Sequence, residues 1–269
     1  MSMGSEFKFV LHEAVREGKT SVVESLLNVR PFNCPQANSG LKGAHGLVQQ
    51  VNPRLATKRD EDDRLPIHWA TSSDNYQIVE MLISTKDFDT DVQDGSGWTP
   101  LMIASSLPQG DELVALFIRK GADVNVKSLL SLSIDFIQAN KFQTALHFCA
   151  SKNKLDTARK LITHKASARV RDKRGQLALH RAAAVGSVPM VKLLLENQSP
   201  LNATDISGYT ALHHAIAEGH GDAALELLKA GAETDKRDVD GKLAIDLAPD
   251  TKIKRFITQS AEREGIELT

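Results

Sequence analysis

The chain has 269 residues, a quarter of them charged, and a formal net charge of −1, a balance with no bulk attraction for nucleic acid or an anionic membrane. No run approaches the ~18 consecutive apolar residues of a membrane span, and the opening MSMGSEFKFV has no apolar stretch long enough for a secretory signal. The only cysteines, Cys34 and Cys149, argue against a secreted disulfide scaffold and fit a reducing compartment; the expected location is cytoplasmic and nuclear.

Read in chain order, one hexapeptide recurs: FVLHEA at Phe9, LPIHWA at Leu65, TPLMIA at Thr99, TALHFC at Thr144, LALHRA at Leu177, TALHHA at Thr210 and LAIDLA at Leu243. The steps are 56, 34, 45, 33, 33 and 33 residues, a 33-residue period with two insertions. An Asp and Gly turn precedes four of the hexapeptides (DGSGW, DKRGQ, DISGY, DVDGK), and a Gly break follows several. Then comes a stripe such as VVESLL, IVEMLI, ELVALFI or MVKLLL, whose spacing predicts one apolar helix face. Gly121 and Gly231 stand where helix C-termini need caps. Each unit therefore reads as turn, short helix, Gly turn, longer helix and loop.

The 33-residue period and the T-P-L-H-x-A signature resemble the ankyrin repeat. The expected fold class is all-α, an ankyrin-repeat solenoid of seven helix-turn-helix repeats with two inter-repeat insertions. It forms one domain over 1–269, with repeats near 7–57, 58–93, 94–138, 139–171, 172–204, 205–237 and 238–262. A unit this small cannot bury its apolar face alone, so neighbours must stack. The end hexapeptides, FVLHEA and LAIDLA, are the least regular, and KIKRFITQSAEREGIELT predicts a polar terminal helix. The insertions fall near 30–53 and 127–141. The first, rich in Gly, Pro, Asn and Gln, is expected to be a mobile loop; the second, more apolar, to form a short helix packed on the stack.

The fourth residue of the hexapeptides is His12, His68, Met102, His147, His180, His213 and Asp246. That column reads as structural, each imidazole bonding nearby backbone and linking turn to helix. Neighbouring column residues should lie ~8–10 Å apart, too far for shared metal ligation. LHEAVRE has Arg16 where H-E-x-x-H needs its second His, and EAVREGKT has Glu13 where a P-loop needs Gly. Cys149 sits mid-helix as a buried, inert residue. No nucleophile, base and orienter share a plausible spacing. The chain is expected to be no enzyme and to need no cofactor and no metal.

Function then belongs to the surface, where a stacked solenoid offers turn tips and first helices on a concave face. The candidate partner-binding positions are Asp62, Arg64 and Trp69 in the second repeat, and Trp98 and Ile103 in the third. Lys141, Phe148 and Lys152 follow in the fourth, and Lys173, Arg174 and Arg181 in the fifth. Ile206, Tyr209, His214 and Glu218 belong to the sixth, Asp238 and Asp240 to the seventh. Trp69 and Trp98 are aromatic anchors of the kind common at hot spots, although Trp98 can equally pack on the next turn tip. Charge falls in blocks. Residues 58–94 hold four basic and ten acidic side chains, 141–192 twelve and two, 193–250 four and eleven. An acidic, basic, acidic stripe suits a folded protein partner with complementary patches, while its acidic flanks would repel a long phosphate backbone.

Beyond the repeat, DRLPIHW, DGSGWTPLMIA, ASKN, VRDKRGQLALHRAAAVGS and HAIAEGHGDAALELL resemble the gankyrin family, from about Phe9 to Asp246. The resemblance implies a chaperone of proteasome regulatory-particle assembly. Such a protein cradles the C-terminal domain of one proteasomal ATPase subunit and blocks premature docking of the ATPase base on the proteolytic core. By position it implies contacts at Arg174, Arg181, Glu218, Trp69, Trp98 and Tyr209, and a monomer when free. The insertions depart from the family pattern, and the L-x-C-x-E motif of the human member is absent, so its cell-cycle binding does not transfer. The rival reading is a generic ankyrin adaptor for a kinase or transcription regulator. Reversing Arg174 and Arg181 to Glu is expected to weaken binding with little change in melting temperature.

Overall fold

The computed structural model describes residues 10–27, 53–85, 87–128 and 142–268. Most of both insertions, and Lys141 with them, lie outside the described residues, as do the expectations of a mobile first insertion and a helical second one. The chain divides into two compact units, Met1–Asp123 and Val124–Thr269.

In the first unit three helix pairs follow one another: α1 (Val10–Arg16) and α2 (Thr20–Leu27), α3 (Pro66–Ser72) and α4 (Tyr76–Ile83), α5 (Pro100–Ser106) and α6 (Asp111–Arg119). A 3-10 turn, Pro53–Thr57, precedes the second pair. The second unit has α7 (Ala145–Ser151) and α8 (Leu155–Thr163), α9 (Ala178–Val185) and α10 (Val188–Glu196), α11 (Ala211–Ala217) and α12 (Gly221–Lys229). A 3-10 turn, Ala244–Leu247, and α13 (Thr251–Arg263) complete it. Among the described residues there is no strand, only an isolated bridge between Arg237 and Leu243. Within each unit the hexapeptides thus open successive helix pairs that pack on one another. α3 packs between α1 and α5, and α9 between α7 and α11; α4 packs between α2 and α6, and α10 between α8 and α12.

Each first helix spans seven or eight residues, too short to persist alone, so burial holds it. α7 buries Ala145 through Ala150 without a gap, Cys149 among them. Second helices are one-sided: α6 buries Leu113, Val114, Leu116 and Phe117 and turns Asp111, Glu112 and Arg119 away. Between the paired helices Gly18, Gly186 and Gly219 take left-handed φ of 66°, 76° and 77°. Asp74 and Asn153 do the same work at 52° and 54°, being the side chains that best tolerate that region. The last repeat is atypical, as its sequence suggests. LAIDLA forms only a 3-10 turn, with Asp246 Oδ2 accepting the Leu243 N–H at 3.3 Å.

The histidine column explains the stacking. Nδ1 of His68, His147 and His180 accepts the backbone N–H three residues earlier, from Leu65, Thr144 and Leu177, at 3.0–3.1 Å. An Nδ1 that accepts is unprotonated, so Nε2 carries the hydrogen. It donates to a backbone carbonyl beside the next turn, Val92 for His68 and Ala203 for His180, each two residues before the next turn aspartate, and Gln176 for His147, at 3.0–3.2 Å. His12 Nε2 meets the Arg64 carbonyl in the same way at 3.1 Å. Burial opposes protonation and pushes His147 and His180 down to about 4. The imidazoles of His68, His147 and His180 are therefore neutral rungs between neighbouring hairpins.

Arginines one residue before the turn add a second rung. Arg59 Nη1 donates to Asp63 O and to Gln93 O, and Arg171 Nη1 to Gly175 O and Thr204 O, the second acceptor each time lying just before the next turn aspartate, all at 2.6–2.7 Å.

Candidate interaction surface

Five described turns open on an aspartate: Asp60, Asp94, Asp172, Asp205 and Asp238. In each, Oδ1 accepts the N–H groups two and four residues on, at 2.8–3.0 Å. This side-chain turn closes the loop tip and fixes the second oxygen, Oδ2, toward the start of the first helix. What meets Oδ2 is the residue nine positions later, immediately after the column histidine. Trp69 Nε1 donates to Asp60 at 2.7 Å, Arg181 Nη2 to Asp172 at 2.7 Å, and His214 Nε2 to Asp205 at 3.0 Å. A second route comes from the preceding repeat: Arg64 Nε reaches Asp94 at 3.2 Å and Gln176 Nε2 reaches Asp205 at 2.9 Å.

These bonds set the electrostatics. Burial alone would raise the Asp205 carboxyl, but His214, Gln176 and the Ser207 and Tyr209 N–H groups hold it well below the usual carboxylate range. Asp60 is lowered likewise, its burial outweighed by Trp69 and the Arg64 and Asp62 N–H groups. In the first unit the Arg16 guanidinium lies 3.8 Å, and that of Arg64 4.7 Å, from the Trp69 ring centroid, a cation–π pair on one indole.

The geometry corrects three expected surface positions. Ile103, Phe148 and Asp238 are buried, at 6%, 7% and 7% exposure. Ile103 and Phe148 stand in the column that meets the turn carboxylate; an apolar side chain there has no donor to offer and folds into the core. In the third repeat Arg64 serves Asp94 instead, and in the fourth the position nine before Phe148 is Ala139, with no carboxylate to serve. Asp238 is buried because it makes the turn. Arg181 is also not a simple surface charge: it pairs with Asp172, whose side chain is wholly buried, so its reversal would disturb the fold as well as any partner.

Of the remaining positions, Asp62, Lys152, Lys173, Arg174, Ile206, Glu218 and Asp240 are exposed, while Arg64, Trp69, Trp98, Arg181, Tyr209 and His214 are half-buried. Tyr209 stacks on His213 and meets His214 edge-on, with ring centroids 5.5 and 5.4 Å apart. Sequence reasoning missed Arg16, Gln176 and the internal role of Asp60, Asp172 and Asp205. The constant nine-residue offset from Asp60 to Trp69, Asp172 to Arg181 and Asp205 to His214 was the available signal. Among the described residues, no three His, Cys, Asp or Glu side chains converge as a metal site requires, and no helix is long and apolar enough to cross a membrane.

Comparison with known proteins agrees with this architecture. The family described as Ankyrin repeats (3 copies) matches residues 5–128, 126–205 and 146–238. A Saccharomyces cerevisiae protein named "Probable 26S proteasome regulatory subunit p28" is 38% identical over 149 residues, 54% of this chain and 61% of the yeast protein. The "26S proteasome non-ATPase regulatory subunit 10" of Dictyostelium discoideum is 34% identical over 65 residues, 24% of this chain and 28% of that protein. The matches span about three fifths or less of these relatives' own length. Among solved structures, the human ASB11 ankyrin repeat domain superposes with a TM-score of 0.70 at 18% identity, covering 93% of this chain and 97% of that one. Hexapeptide, turn aspartate, histidine rung and paired helices recur in both units, and with three matches spanning most of its length the chain belongs to the ankyrin-repeat family, whose folds serve as protein-interaction modules.

Proposed function

We propose that the chain is a chaperone of 26S proteasome regulatory-particle assembly, acting in the cytoplasm and nucleus. It holds the C-terminal domain of a proteasomal ATPase subunit on its turns and first helices, and so blocks premature docking of the ATPase base on the proteolytic core. The observation that carries this reading is the 38% identity over 149 residues to a yeast protein named as a probable proteasome regulatory subunit. The site chemistry suits a folded protein partner. Exposed Lys152, Lys173 and Arg174 give way to exposed Glu218 and Asp240 along the second unit, and half-buried Trp69, Trp98 and Tyr209 offer rigid aromatic contacts. The turn carboxylates Asp60, Asp94, Asp172 and Asp205 and the imidazoles of His68, His147 and His180 are engaged in holding turns and repeats.

A pull-down with the tagged full chain tests the reading. Recovery of a proteasomal ATPase without the proteolytic core supports it, with capture falling as salt rises because exposed charges carry the contact. Recovery of a kinase or transcription regulator in its place overturns it in favour of a general ankyrin adaptor.

A further inference from the structure

The seventh repeat breaks the rule that the other turns obey. Oδ2 of Asp60, Asp94, Asp172 and Asp205 each accepts an internal side-chain donor. Asp238 makes the same turn through Oδ1 and is 7% exposed, yet its Oδ2 is buried with no hydrogen-bond partner. Both donor routes are lost by sequence. The position nine residues on is Leu247, which has no N–H or O–H in its side chain, and the preceding repeat supplies Tyr209 where Arg64 and Gln176 stand elsewhere. The Tyr209 ring is stacked against His213, and His213 Nε2 does not bond the carboxylate either.

The surroundings are equally distinctive. Ile206 and Val239, each one residue after its turn aspartate, are 71% and 72% exposed, far above Phe256 at 41%, the next of the large apolar side chains among the described residues. The two tips are tied together, the Val239 N–H donating to Ser207 O at 3.1 Å. Glu218 and Asp240 are exposed in the same two repeats. Of the basic groups there, Arg237 is committed to Gly241 O at 2.7 Å and Lys242 is exposed; residues 193–250 remain strongly acidic, with eleven acidic and four basic side chains.

We propose that the seventh turn is a seat for a lysine or arginine side chain of a protein partner, its cation donating to Asp238 Oδ2 and an adjacent apolar residue resting on Ile206 and Val239. The seat reproduces with a foreign cation what Arg181 does for Asp172 within the chain. A buried carboxylate oxygen without a donor is costly, and a bound cation removes that cost. Entry requires movement of Tyr209 or Leu247, the half-buried residues at the two positions that supply donors elsewhere. The inference rests on the reading of the chain as a protein-binding module, but not on which protein is bound.

The test uses the full chain, 15N-labelled, titrated with acetyl-Leu-Arg-amide and with acetyl-Leu-citrulline-amide, its uncharged counterpart. The arginine peptide is expected to shift the Val239, Asp240 and Lys242 amide signals saturably, and the citrulline peptide to bind about tenfold more weakly. Asp238→Asn keeps an oxygen for the turn and should weaken the arginine peptide about tenfold. Leu247→Arg supplies an internal donor and should compete with it. Equal response to both peptides means apolar docking alone and overturns the proposal. So does unchanged binding by Asp238→Asn, an absence of saturable shifts in the parent chain, or shifts that follow protein rather than peptide concentration. Because the peptides contain no ATPase, failure here leaves the proteasomal reading standing, and failure of the pull-down leaves the seat standing.

Discussion

Two columns run side by side along the first helices, one residue apart, and they behave differently. The histidine column bonds backbone on both sides: His147 joins the Thr144 N–H to the Gln176 carbonyl, and His180 joins Leu177 to Ala203. Backbone groups are available in every repeat, and the histidine that satisfies them recurs in five of the seven hexapeptides, giving way to Met102 and Asp246. The next column bonds a side chain, the turn carboxylate, which a tryptophan, an arginine or a histidine serves equally well, and it turns apolar at Ile103, Phe148 and Leu247. Variation is tolerated where the partner is a side chain, and that is where one repeat can be given a recognition property that its neighbours lack.

The largest test of this contrast is pH. The folded pKa of His147 and His180, about 4, lies below the unfolded value near 6.5. The unfolded chain therefore binds more protons in that window, and the stability due to these rings, complete above pH 6.5, is lost as pH falls toward 4. From pH 7.5 to pH 5 the loss should be about 2 kcal/mol per ring, read as a falling urea midpoint. A midpoint independent of pH in that range would break the comparison.

His180→Ala leaves the Leu177 N–H and the Ala203 carbonyl without the ring and should cost about 3 kcal/mol in urea unfolding. Arg181→Ala strands Asp172 Oδ2 but leaves its turn bonds through Oδ1, so about 2 kcal/mol is expected, a smaller loss because the guanidinium is partly solvated. Arg174→Ala, on an exposed tip, should change stability by less than about 0.5 kcal/mol while weakening capture of the partner. If Arg174→Ala and Arg181→Ala unfold alike, the distinction between tip and column is wrong.

The fold was readable because its signals are local and repeated. Three successive steps of 33 residues, the turn Asp and Gly, and the apolar stripe each report the same hairpin. Burial of Cys149 followed from its mid-helix position, where the repeat places a small residue. The candidate surface was less readable. Ile103 and Phe148 occupy the same sequence position as Trp69, Arg181 and His214, and only packing shows that the apolar ones turn inward while the polar ones reach an aspartate nine residues back. The charge blocks are likewise coarser than the surface they describe. Residues 58–94 are acidic in composition, yet Asp60 and Asp94 are consumed by Trp69, Arg16 and Arg64, and two guanidiniums sit beside the indole. Counting charges cannot tell a carboxylate that faces a partner from one that closes its own turn.

The most direct test of the neutral rung is 15N NMR of the imidazoles across a pH titration of the full chain. His147 and His180 should show a protonated Nε2 and an unprotonated Nδ1, unchanged from pH 7.5 down to about 5. Rings that carry hydrogen on Nδ1, or that titrate near 6.5 like solvent-exposed histidine, would contradict the account.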